Sequence, residues 1–411
     1  MMTKPAFDLV FRNAVTRAST AAVDIGVTDG RIAAIAPRLA CEAVEIDLGG
    51  RLVLSGFVDT HIHLDKACLL GRCGHDHASV DDAIRAVAAM KRDFTVEDVY
   101  ARGAKVLERA ITAGTTRMRT HVEIDPRIAL RGFEAVKALQ RDYAWALDLS
   151  LCVFPQEGLI NDPGTDELLV AALRDGAAAI GGCPYVDSDP NAQIARIFDL
   201  AQEFDIDVDF HLDFDLDPSW WHMGEVCRQT ERRNYHGRVA IGHATKLSAL
   251  APEPLKAATA RLAQAGVAVT VLPATDLYLT GRDATHNVPR GLTVAHRLVA
   301  DGVLCSVATN NLQNPFTPFG DASLLRMANL YANVAHAGIS EFDACLDLVT
   351  DLPARLMNLK DYGIAVGNPA DIVVLDTDSG TNAIAELPDV LLGFKRGRKT
   401  FERQRPTLFR P

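Results

Sequence analysis

This chain of 411 residues has no Cys-x-x-Cys pair and no regular cysteine framework; its eight cysteines, at 41, 68, 73, 152, 183, 227, 305 and 345, are scattered. In a chain of this length that argues against a disulfide scaffold or a cysteine-based zinc knuckle, and predicts reduced thiols in a core. No run of about 18 uncharged apolar residues occurs, so no membrane span is expected. Met1 to Asp8 lacks a basic segment followed by an apolar run and a small-residue cleavage site, which predicts a cytoplasmic protein. No Gly-x-Gly-x-x-Gly follows a strand, which disfavours dinucleotide binding. Positive charge is scarce too: 42 Lys and Arg stand against 53 Asp and Glu, a formal net charge of −11. Nucleic acid and anionic membrane are therefore poor partners, since either favours a basic face. A small neutral substrate is easier to accommodate.

What is present is ordinary for a soluble protein: 48% hydrophobic and 23% charged residues. The length supports one large domain and one small one. Residues 7–55 alternate short strand-like runs (Phe7 to Arg12, Ala22 to Val27, Ile32 to Ile35, Leu52 to Leu54) with turns such as Thr28-Asp29-Gly30. From about 56 to 360, apolar strand candidates alternate with helical periodicity. After the strand that holds His61 come Thr115 to Val122, Asp148 to Val153, Ala179 to Gly182, Ile206 to Leu212, Val239 to His243, Ala268 to Leu272 and Val303 to Ala308. Helical spacing fills Val80 to Lys91, Thr95 to Ala113 and Pro190 to Glu203. Eight strands with interleaved helices predict an α/β fold, a (β/α)8 TIM barrel. Strands return at Gly367 to Asp376 and Val390 to Arg396. The expected organisation is a barrel over 56–360, with 1–55 and 361–411 joined in one small β-sandwich domain.

The chemistry is concentrated in Gly56-Phe57-Val58-Asp59-Thr60-His61-Ile62-His63-Leu64-Asp65-Lys66. On an extended strand, positions i and i+2 project to one side, so both imidazoles can reach a single cation. His211 and His243 also end apolar runs, as ligands from later barrel strands would. This pattern reads as a metal-dependent hydrolase.

The chain resembles the amidohydrolase superfamily, and within it cytosine deaminase and the isopropylammelide amidohydrolase of s-triazine metabolism. The resemblance rests on Gly-Phe-Val-Asp before the paired histidines, Gly-Thr-Thr-Arg with Thr120-His121-Val122-Glu123, Gly242-His243-Ala244-Thr245, and Gly-Asn-Pro-Ala-Asp-Ile-Val-Val near the end. Phe154-Pro155-Gln156-Glu157-Gly158 carries the cytosine deaminase part. The resemblance implies His61, His63 and His211 as ligands of one divalent ion, zinc or iron, that activates water. It implies that His243 orients or polarises the attacked centre, and that Gln156 reads a cyclic amide or amidine edge by donating and accepting at once. Asn311 joins it as a substrate-binding candidate. A homo-oligomer is implied as well.

Two positions depart from the family. Its fourth ligand, an aspartate after the eighth strand that also takes a proton from the attacking water, falls at Asn310. An amide oxygen can coordinate weakly but accepts no proton at neutral pH. The deaminase glutamate three residues after the third histidine falls at Phe214, which argues against efficient cytosine deamination by about 10²- to 10⁴-fold. Asp213 and Asp215 share a side with His211 if the strand stays extended, and could relay protons; otherwise they are loop or helix-cap residues preceding Pro218-Ser219-Trp220. Lys66, where the triazine enzyme also has a lysine, is a second candidate base. Trp220, Trp221, Phe316 and Phe319 follow the fifth and eighth strands, where a barrel builds its pocket, and could stack on a planar ring. His75, His77, His222, His286 and His296 read as background. The expected activity is hydrolysis of a cyclic C–N bond in a pyrimidine-like, triazine-like or related heterocycle. The alternative is a catalytically silent barrel that binds such a ligand.

Overall fold

Apolar alternation near the N-terminus produces four strands, β1 (Leu9–Thr16), β2 (Ser19–Thr28), β3 (Arg31–Ala36) and β4 (Val44–Asp47), ordered β3-β2-β1-β4. The computed structural model describes residues 7–40, 42–72 and 79–409. The turn between β2 and β3 has Asp29 and Gly30 both at positive φ, 50° and 74°. Two consecutive left-handed residues give the tight hairpin whose twist matches its strands. β5 (Val53–Ser55) leaves this sheet for another.

Eight parallel strands follow in sequential order: β6 (Phe57–Ile62), β7 (Thr115–Glu123), β8 (Asp148–Phe154), β9 (Ala179–Ile180), β10 (Asp207–Leu212), β11 (Val239–His243), β12 (Val267–Val271) and β13 (Cys305–Val307). Every residue of β6, β7, β11 and β12 is buried, as expected where helices cover the outside and side chains fill the inside. The helices Val80–Met90, Val96–Thr112 and Pro190–Phe204 fall where helical spacing predicted them, each capped by the side chain preceding it, Ser79, Thr95 and Asp189.

The seam between the last and first strands is closed by few contacts. Thr60 Oγ1 meets Ser306 Oγ at 2.8 Å. Farther along, Asn310 N–H donates to the His61 carbonyl (2.8 Å) and His63 N–H donates to the Asn310 carbonyl (3.0 Å). The barrel therefore closes through the backbone of the residues singled out for chemistry.

The chain returns in β14 (Ile372–Leu375), β15 (Val390–Lys395) and β16 (Arg398–Glu402), which form a sheet ordered β16-β15-β14-β5. The two chain ends thus meet as expected. The two four-stranded sheets share a core that includes Phe11, Ile25, Val27, Val53, Ile372, Val374 and Phe394, with Phe11 edge-to-face on Phe394 at 4.8 Å.

Several elements differ from the sequence reading. β4, β16 and the helix Gly380–Glu386 were not anticipated. The fourth barrel strand stops before Gly181, where a Cβ would lie 2.1 Å from the Asp209 carbonyl oxygen, so the chain passes too close to its neighbour for any side chain. Cys68, Cys152, Cys183, Cys227, Cys305 and Cys345 are free thiols. Cys41, Cys73, His75 and His77 lie outside the described residues. No helix among the described residues is long and apolar enough to cross a membrane.

Candidate metal centre and active site

β6 delivers His61 and the residue after it delivers His63 from the same side of the chain, while β10 brings His211 from across the barrel. His211 Nε2 lies 3.1 Å from His61 Nε2 and 3.1 Å from His63 Nε2. Nitrogens about 2.0–2.1 Å from one tetrahedral ion would be about 3.3 Å apart, so the spacing fits a shared cation. All three rings are buried, and burial together with neighbouring cations and imidazoles pushes their pKa values well below the ordinary histidine value. They are neutral, as ligands must be. Nδ1 of His61 and of His211 has no hydrogen-bond partner among the described residues, whereas His63 Nδ1 is 3.1 Å from the His121 carbonyl oxygen, which orients that ring.

Beneath the centre lies a residue the sequence reading passed over. His121 on β7 stacks on His61 with ring centroids 3.7 Å apart and planes at 20°. Its Nε2 is 3.6 Å from Asp209 Oδ2, and that carboxylate is itself paired with Arg119 at 3.1 Å. His61, His121 and Asp209 form a second close group of potential ligands. Near-parallel rings, however, send their in-plane lone pairs side by side and not toward one point. A signal was available: Arg119, His121 and Glu123 alternate with Met118 and Val122, which pack into the apolar core outside the barrel.

Lys66 enters a buried chain of charges. Its Nζ donates to Glu123 Oε1 (2.7 Å) and to Gln156 Oε1 (3.1 Å) and lies 4.4 Å from the centre of the Phe316 ring. Glu123 Oε2 receives Lys91 Nζ at 2.9 Å, and Lys91 also reaches Asp125 and Glu157 at 2.5 Å each. Burial works against every charge here, yet Lys66 and Lys91 outweigh it and hold Glu123 below its ordinary value; Glu123, Glu157 and Asp125 likewise hold Lys91 charged. Glu157 is pushed up to about 8 by burial and by the charges of Glu123 and Asp125. The three carboxylates could bracket a cation, and the Lys91 ammonium already occupies that place.

Glu157 has a consequence for pH dependence. Its carboxyl stays protonated in the folded chain after the unfolded chain, with a pKa of about 4.3, has lost its proton. Its contribution to stability is complete below about pH 4.3 and is lost as pH rises toward 8. Glu157→Gln should flatten the fall of Tm between pH 5 and 8 on the order of this window. An unchanged slope in thermal melts would show that Glu157 is ionised in the native state.

His243, at the end of β11, brings Nδ1 to 2.7 Å from Asp276 Oδ1, while Asp276 Oδ2 accepts the Leu272 N–H at 3.0 Å. A carboxylate fixed by a backbone donor holds the imidazole in one orientation. Phe214 stacks on the His243 ring, centroids 3.8 Å apart at 18°. Phe154 stacks on His211 at 4.5 Å. Nothing local to Asp276 announced its role.

The extended geometry expected beyond His211 ends at Leu212. Asp213 turns to φ 51° and its carboxylate accepts the N–H groups of His222 (2.9 Å) and Met223 (3.1 Å), at the start of the helix Met223–Arg232. Burial pushes its pKa up to about 6. Asp215 pairs with Lys246 at 2.8 Å. Asp213 is thus engaged at a helix start and Asp215 in an ion pair.

Gln156 is buried, with Oε1 accepting from Lys66 and Nε2 3.5 Å from Cys183 Sγ, contacts that fix the orientation of its amide. Asn310 is fully buried; its Oδ1 accepts from Asn311 Nδ2 at 3.0 Å, and its Nδ2 is without a partner among the described residues. Phe316 is buried against Lys66. Trp220 is exposed on the rim, its ring 3.3 Å from Lys246 Nζ. Together with Tyr185 and Phe214 it lines a cavity of about 470 Å³. A larger cavity of about 750 Å³ lies to one side, lined by Leu216, Leu247, Leu255 and Leu292, and includes none of the three histidines. The smaller cavity is not lined by the three histidines either, but it reaches their neighbourhood through Phe214, whose ring stacks on His243.

Residues 98–398 match the model of the amidohydrolase family. The chain is 30% identical over 360 residues to a pterin deaminase of Rhizobium rhizogenes (strain K84 / ATCC BAA-868), covering 85% of this chain and 81% of that protein. It is 26% identical over 402 residues to the N-isopropylammelide isopropyl amidohydrolase of Pseudomonas sp. (strain ADP), covering 95% and 96%. The crystal structure of 5-methylcytosine deaminase from Klebsiella pneumoniae liganded with 5-fluorocytosine superposes with a TM-score of 0.93 at 27% identity, over 98% of this chain and 99% of that one. Histidines converging at the mouth of a sequentially ordered parallel barrel, together with these matches, lead to one conclusion: the chain belongs to the amidohydrolase family.

Proposed function

We propose that this protein is a metal-dependent hydrolase that cleaves a C–N bond of a nitrogen heterocycle and releases ammonia or an amine. The convergence of three neutral imidazoles within 3.1 Å contacts, in a chain of this family, carries the reading. His61, His63 and His211 would hold one divalent ion, zinc or iron, both of which suit imidazole ligands. Such an ion, when bound, supplies Lewis acidity and makes water acidic enough to attack near neutral pH.

The remaining steps fall to the protein's own groups. Asp276 keeps the proton on His243 Nδ1, leaving Nε2 free to take a proton from the attacking water. Lys66 spends two of its three N–H groups on Glu123 and Gln156, and the third is left for a ring oxygen, ring nitrogen or departing amine. Phe154, Phe214 and Phe316 give the pocket flat apolar walls that suit a planar ring. Phe214 puts no carboxyl where the deaminases have one, so Lys66 is the group assigned to leaving-group protonation, and cytosine is expected to be a poor substrate.

The relatives are named for pterin, N-isopropylammelide and 5-methylcytosine, which sets the range of rings to test. Metal analysis of protein purified without chelator, paired with a turnover screen across pterins, pyrimidines, purines, triazines and hydantoins, tests the proposal. Near-stoichiometric metal with turnover of one ring class is the expected result. Asn310 and Phe214, standing where the family has an aspartate and a glutamate, favour a second reading, a silent ligand-binding barrel. Absence of metal in every preparation, with ligand binding and no turnover, would establish that one.

A further inference from the structure

The asparagines that follow β13 form a chain of amides whose polarity is set at its far end by backbone groups. Asn314 Oδ1 accepts the N–H groups of Phe316 (3.0 Å) and Thr317 (3.1 Å), which identifies that atom as oxygen. Asn314 Nδ2 therefore faces the other way, donating to the Lys66 carbonyl (3.1 Å) and to Asn311 (2.7 Å). An amide nitrogen donates and does not accept, so the atom it meets on Asn311 is Oδ1. Asn311 Nδ2 in turn meets Oδ1 of Asn310 at 3.0 Å. Reversing any one amide would set two donors or two acceptors against each other. The sequence ends in Asn310 Nδ2, a buried donor with no partner among the described residues. The Asn310 backbone is clamped between those of His61 and His63 by hydrogen bonds of 2.8 and 3.0 Å. A buried orphan donor calls for an acceptor that arrives with function.

We infer that Asn310 is a hydrogen-bond donor through Nδ2, and not a ligand through its carbonyl, and that its acceptor is the oxygen of the attacking water as that water gives up its proton. This rests on the metal-dependent hydrolase reading above. The amide moves no proton: the proton of the attacking water goes to His243, the N–H of Asn310 steadies the negative charge this leaves on oxygen, and formation of the C–O bond passes that charge to the ring heteroatom or leaving group that Lys66 protonates. Asn311 and Asn314 are positioning residues that keep the amide of Asn310 from turning over.

The test uses the full chain, with zinc alone as one probe and the substrate found in the turnover screen as the other. Asn310→Gly removes the amide and tolerates the φ of 59° at this position, which would strain alanine. It should leave zinc affinity, measured by competition with a chelator, within about twofold, and lower kcat by about 10²- to 10³-fold with little change in KM. Asn311→Asp offers Asn310 an acceptor in place of a donor, so the Asn310 amide reverses and presents its oxygen; zinc affinity should rise by about tenfold or more while kcat falls. A tenfold loss of zinc affinity in Asn310→Gly would make Asn310 a ligand and overturn the inference, and so would an unchanged kcat. If the unaltered chain binds neither zinc nor iron(II), the hydrolase reading itself falls, and this inference with it.

Discussion

Glu123→Leu should destabilise the protein by about 3–5 kcal/mol, the cost of breaking a buried ion pair by removing one partner. Both oxygens of Glu123 hold an ammonium, Lys66 at 2.7 Å and Lys91 at 2.9 Å, and all three side chains are at most 2% exposed. Lys91 keeps Asp125 and Glu157 after the change, but Lys66 loses its carboxylate hydrogen bond and keeps the neutral Gln156 and the ring faces of Phe316 and Phe154. An uncompensated ammonium at that depth either loses its proton or draws water in, and both cost stability. Pairing the change with Lys66→Met removes the stranded charge and should recover a substantial part of the loss, since a buried pair replaced as a unit can be nearly neutral. Urea unfolding of the two variants checks this. A loss under about 1 kcal/mol for the single change would mean that the Lys66–Glu123 contact does not act as a buried ion pair.

His211→Ala should abolish metal retention and lower turnover by about 10³-fold or more, the several kcal/mol of transition-state stabilisation that a metal supplies. His61 and His63 come from one short stretch and cannot enclose an ion alone; His211 closes the site from the fifth strand of the barrel. The fold should persist, because β10 pairs with β11 through backbone bonds along its length and His211 packs mainly against Phe154 and the other imidazoles. Metal analysis after dialysis, with circular dichroism as the check on folding, is the measurement. Stoichiometric metal in the variant would place the ion elsewhere, with His61, His121 and Asp209 the next group to examine.

The sequence made the histidine pair legible because its information is local. Two imidazoles at i and i+2 on a strand share a side whatever the rest of the chain does. The eight strands, their intervening helices and the pairing of the chain ends were equally readable, since each depends on a period of 2 or 3.6 within one element. Local reasoning failed where the chain left its element. Alternation put Asp213 beside His211 only if the strand stayed extended, and alternation could not show that the backbone turns to positive φ there and sends the carboxylate to a helix end.

Other parts of the site had no local signature at all. Asp276 meets His243 across 33 positions, and Lys91 meets Glu123 and Glu157 across 32 and 66. Such partners are selected by the need to pair charges once the barrel has closed and excluded water, and that need arises only in the assembled structure. Asn310 combines the two cases. Residue type alone gave the expectation of an amide where the family has a carboxylate. Which atom of the amide is left unpaired was decided by backbone N–H groups at 316 and 317 acting through two intervening asparagines. Side-chain direction within an element is a property of the chain, whereas the polarity of a buried hydrogen-bond chain belongs to everything it touches.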